Sequence, residues 1–118
     1  MAEVLEYVMT KYVGPATLDV YYGEEMPEEQ AKSLILTALK DPNSRVTMNY
    51  KMDLAGEPFS DMHHSPIAAS HVDPDAILLM NVGAKSGPVW LDWEKAWNAM
   101  KYHADWQPKS KGFIILTL

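Results

Sequence analysis

The hydrophobic period of this chain changes within a few residues, and that change restricts the fold more than any other feature. Ala31, Leu34, Ile35, Ala38 and Leu39 recur at the three- and four-residue spacing of an amphipathic helix. Just beyond, the spacing becomes two. Val46, Met48 and Tyr50 alternate with Thr47, Asn49 and Lys51, as a strand with one buried face requires. Asp41-Pro42-Asn43 supplies the turn between them. A helix stripe and a strand face so close in sequence are expected to bury each other.

The helix has clear ends. Glu24-Glu25-Met26-Pro27-Glu28-Glu29 puts acids and a proline at its start, where the macrodipole favours negative charge and a missing N–H does no harm. Lys40 closes it. Elsewhere, residues 2 to 12 carry apolar side chains at helical spacing, ended by Gly14-Pro15. Thr17 to Tyr22 reads as a strand closed by Gly23. The strand with the alternating face runs from Arg45 to Met52, and Leu54 to Met62, with Gly56 and Pro58, reads as a loop. Ser65 to Val72 and Ala76 to Val82 are two further strands, turned at Asp73-Pro74-Asp75. The second is almost wholly apolar and is expected to be buried on both faces. Asp92 is placed to cap a helix from Trp93 to Tyr102, with Ala96, Trp97 and Met100 inward. Phe113 to Leu118 is a last strand. The expected class is α+β, a mostly antiparallel sheet with flanking helices, in one domain over residues 1–118.

Charge and composition exclude several functions. A net charge of −6 with only ten scattered basic residues argues against a nucleic-acid surface. No stretch has the apolar length of a membrane span, and residues 1–12 do not read as a signal peptide, so a soluble cytoplasmic protein is expected. There is no cysteine, hence no disulfide framework and no thiolate-bound zinc.

Four blocks in order carry a family resemblance. They are His63-His64-Ser65-Pro66-Ile67-Ala68-Ala69-Ser70-His71, Ala76 through Val82, Trp97-Asn98-Ala99-Met100 and Lys111-Gly112-Phe113. Together they resemble the second half of the phytochelatin synthase catalytic domain, a papain-like cysteine transpeptidase. The resemblance implies the C-terminal lobe of a papain-like fold, with His63 at the place of the catalytic base and Asn81 at that of the residue orienting it. An asparagine can serve there, because its carbonyl accepts the imidazole N–H. The cysteine nucleophile belongs to the other half. Tyr12-Val13-Gly14-Pro15-Ala16-Thr17-Leu18 resembles the nucleophile turn of papain-like enzymes, with Val13 where the cysteine would stand. A lone short motif is weak, and chance similarity is the preferred reading. Other positions depart from the family's pattern. Met62 replaces a glycine, Ala68-Ala69 a glycine pair, and the arginine expected near Ala84 is gone.

These observations lead to three functional readings. In the first, the chain is a non-catalytic binding or accessory subunit. It holds a peptide or thiol ligand around His63, His64, His71, Asn81, Lys85 and Trp90, and works with a partner enzyme. A protein partner or a second copy would cover the lobe face left by the missing half. In the second, His63 and Asn81 form half of a split γ-glutamylcysteine dipeptidyl transpeptidase or thiol peptidase whose cysteine comes from another chain. In the third, the chain binds zinc or cadmium through His63 and His71. The ligand spacing fits no strong zinc pattern, and no cofactor is expected. His63 and His71 share a face only if the strand between them is regular. The tryptophans Trp90, Trp93, Trp97 and Trp106 are expected at core and sheet edge, and Met48, Met80 and Met100 in the core.

Overall fold

The computed structural model describes residues 16–56, 62–73, 75–80 and 87–118, Met62 by its backbone alone. The helix expected over residues 2–12, the Val13 position, Asn81 and Lys85 lie outside the described residues. The described elements are β1 (Thr17–Tyr22), α1 (Glu28–Lys40), β2 (Ser44–Lys51), β3 (Met62–His71), β4 (Ala76–Met80), β5 (Pro88–Asp92), α2 (Trp93–Lys101) and β6 (Gly112–Thr117). The six strands form one sheet in the order β1-β6-β2-β3-β4-β5, with every neighbouring pair antiparallel. The α+β class read from the sequence is therefore that of the structure.

Both helices pack on one face of the sheet. Ala31, Ile35 and Ala38 of α1 and Trp93, Ala96, Trp97, Ala99 and Met100 of α2 share one apolar cluster with Val46, Met48, Tyr50, Ile67, Ile77, Leu79, Phe113 and Ile115. The alternation read in β2 is what places Val46, Met48 and Tyr50 there. In α2, Trp93 and Trp97 stack with centroids 6.1 Å apart, as residues four apart on one helical face can. Asp92 caps that helix by accepting the Glu94 amide at 2.8 Å. Pro27 stands just before α1, and its carbonyl accepts the Ala31 amide at 3.1 Å.

Gly112 is required by close approach rather than by a turn. A Cβ on it would lie 1.9 Å from the carbonyl oxygen of Tyr21 on β1. Its neighbour Phe113 pairs with Tyr21 in register, and their rings stack at 4.9 Å.

The structure corrects several expectations. β3 begins at Met62, three residues earlier than read, and a short 3₁₀ turn, Met52–Ala55, takes the end of the expected strand and the start of the expected loop. β4 is buried on its helix side through Ile77 and Leu79, but Leu78 is only half-buried and Met80 is 37% exposed, so the other side is open. Apolar composition alone does not guarantee two covered faces. Trp106 is 75% exposed and fills neither core nor edge. β5 was not read as a strand, although it pairs with β4 from Pro88 to Asp92.

Candidate functional site

β3 carries three of the four histidines, and its register decides what they can do together. Tyr50 pairs with His63, Asn49 with His64 and Val46 with Ile67. His63, Ser65 and Ile67 therefore face the helices, while His64 faces the open side. The register against β4 shifts between Ile67 and Ala69. Such a bulge moves the following residues to the other face. Beyond it Ala69 pairs with Leu78 and His71 with Ala76, so His71 points to the open side. His63 and His71, expected to share a face on a regular strand, are on opposite faces. Along an extended strand they are also roughly 25 Å apart.

On the helix side, His63 is half-buried and meets Tyr50 edge-on, with centroids 6.2 Å apart. Its Nε2 is buried with no hydrogen-bond partner among the described residues. Below it, Tyr50 Oη and Ser65 Oγ are 3.2 Å apart in the core. On the open side, His71 meets Trp90 of β5 edge-on at 6.0 Å, and its Nδ1 accepts the Asp73 amide at 3.2 Å. Trp90 is 51% exposed. His64 belongs with neither group. The binding residues read from the sequence thus fall into separate places, His63 beneath the sheet and His64 and His71 near opposite ends of the upper face. No group of three or more metal-ligating side chains comes together among the described residues.

A concavity lies at the His64 end of the open face. It is a cleft of about 410 Å³ whose lining includes Tyr22, Asn49, His64, Gln107, Lys109 and Lys111. Lys111 is only 8% exposed. Burial holds its ammonium below the ordinary lysine range, because desolvation disfavours the charged form. Burial likewise holds His64 below the ordinary histidine range, and the positive charges of Lys111 and His63 add to the effect. His64 Nδ1 and Gln107 Oε1 are both buried without a partner among the described residues.

One wall of this cleft is Gln107 to Lys111, held in place by the segment from Tyr102 onward. The Lys111 amide donates to Tyr102 O, and the Gly23 amide to Lys111 O, each at 2.7 Å. The Glu24 amide donates to Ser110 Oγ at 3.0 Å. Lys109 pairs with Glu25 and sits over the Tyr22 ring. His103 spans Glu24 Oε2 at 2.8 Å from Nδ1 and Gln107 O at 2.6 Å from Nε2. Both partners accept, so the ring satisfies both only as imidazolium. Accordingly the Gln107 carbonyl and the Glu24 carboxylate hold His103 above the ordinary histidine range.

Sequence reading missed Lys111, Gln107 and His103. One signal was present, since Lys111 directly precedes a glycine that backbone contact demands and so is fixed at the sheet's end.

An antiparallel sheet with both helices on one side and a histidine near the start of β3 defines an α+β lobe consistent with a papain-like assignment. The family model of phytochelatin synthase matches residues 3–113, and the chain belongs to that family. The match is compatible with a C-terminal half-domain. No curated protein matches the chain. Among the described residues, no helix is long and apolar enough to cross a membrane.

Proposed function

We propose that this domain is a non-catalytic binding module that holds a peptide or thiol ligand and works beside a partner enzyme. The observation that carries this reading is the lack of any cysteine in 118 residues of a phytochelatin synthase-family chain. A thiolate is the nucleophile of papain-like transfer, and an imidazole without it has nothing to activate. The separation of His63 from His64, His71 and Trp90 supports the same reading, because these side chains do not converge on one reacting centre. The test is to incubate the purified chain with glutathione, following binding by NMR and free glycine by chromatography. Binding without glycine is expected. Glycine released by the chain alone would overturn the reading.

A second reading has one observation in its favour. His63 Nε2 is buried and unpaired among the described residues, as suits a base whose orienting group and nucleophile lie elsewhere. In that case a chain carrying the cysteine lobe, recovered by affinity purification, restores glycine release, and His63→Ala abolishes it.

A further inference from the structure

The Lys111 side chain is largely buried and lines the cleft. Among the described residues no carboxylate pairs with it, and burial holds it below the ordinary lysine range. The lysines that pair with acids among the described residues (Lys32, Lys51 and Lys109) are all more exposed. A charge held in this way is expensive unless something of opposite sign joins it. The groups around it say what that is. Two lysines line the cleft and no arginine does; Lys109 is already paired with Glu25, so Lys111 is left to balance one negative charge. A phosphate dianion is held by several donors, typically a guanidinium fork. His64 is a neutral imidazole beside Lys111 and has one N–H to give. Gln107 presents a buried, unpaired amide oxygen, which needs an N–H donor rather than another anionic oxygen. A carboxylate next to an amide N–H meets all three requirements, and it leaves the cleft electrically neutral.

We propose that the cleft on the open face binds the terminal carboxylate of a short peptide or N-acyl amino acid, with Lys111 as counter-ion and Gln107 and His64 completing the contacts. The site is on the opposite side of the sheet from His63. It rests on the binding-module reading above for the ligand's being a peptide, and gives that reading a place and a recognition chemistry.

The test is an NMR titration of the full chain with N-acetylglycine, its methyl ester and inorganic phosphate, each to about 10 mM, the weak end of small-ligand affinity. N-acetylglycine is expected to shift the signals of His64, Gln107 and Lys111, and the ester to shift none of them. Lys111→Met is expected to weaken the acid by about tenfold or more, the loss of one charge-assisted hydrogen bond, while Lys111→Arg retains a response. Equal response to acid and ester, shifts confined to other residues, no response at all, or a preference for phosphate each overturn the proposal. If Lys111→Met fails to fold, the acid-to-ester comparison in the unaltered chain still decides. The two readings also fail separately. Glycine released from glutathione ends the non-catalytic reading and leaves acid-over-ester selectivity intact, whereas loss of that selectivity ends the cleft and leaves the reading intact.

Discussion

His63 and His71 lie on one strand yet face opposite sides of the sheet, because the register shifts between Ile67 and Ala69. A metal ion gathers its ligands within a few ångströms, about 2 Å from each donor. No ion bridges side chains on two faces of a sheet and roughly 25 Å apart along it. Zinc or cadmium titrated into the folded chain is therefore expected to leave the two imidazoles uncoupled. Histidine-selective NMR checks this, and one shared stoichiometric transition of His63 and His71 would contradict the placement.

Gly112→Ala is expected to be severe for so small a change. The added methyl would stand 1.9 Å from the Tyr21 carbonyl oxygen and 2.9 Å from the Tyr22 Cα. Backbone on both strands must move to admit it, and overpacking of this kind costs about 3 kcal/mol. Urea unfolding of the variant measures the loss. A change within about 0.5 kcal/mol, the range of a neutral surface substitution, would show that β1 and β6 separate easily.

His64, which lines the cleft, and His103, which holds the Gln107 carbonyl of its wall, make opposite contributions to pH dependence. His64 titrates below its ordinary value in the folded chain. Its contribution is present above the unfolded value, near about 6.5, and is lost as pH falls through the native one. His103 titrates above its ordinary value. Its contribution is present below about pH 6.5 and is lost as pH rises through the native value. His64→Gln is expected to flatten the acid side of a plot of urea midpoint against pH. His103→Gln is expected to flatten the neutral side and to loosen the Tyr102–Lys111 segment, which amide exchange would register. The same response from both variants would refute this assignment.

Much of the architecture was legible because burial and local pattern agree. The three-and-four spacing in α1 and the alternation in β2 each place their own residues on the core face. The cap at Asp92 is legible for the same reason, since capping is chemistry of neighbours in sequence. β5 escaped because it has five residues, starts at a proline and exposes Val89 and Trp90, and its last residue already caps the next helix. The bulge in β3 escaped because Ala68-Ala69 imposes no face of its own, and the shift is expressed only against β4. The cleft was the least legible part. Lys109-Ser110-Lys111 looks like a solvated basic group, and only its anchorage to Gly23, Glu24 and Glu25, more than eighty residues earlier, buries Lys111.

The position of β6 has a consequence for how the chain reaches this state. β6 lies between β1 and β2, and β1 joins the described sheet through β6 alone, with Thr17 opposite Thr117. The first described strand therefore has no place to dock until the last one arrives. On a ribosome, β2 through β5 can begin to zip by adjacent pairings while β1 waits for β6 to emerge. Closing so long a loop late slows folding, and it makes the joining of β1 and β6 the step that admits Lys111 to its buried position.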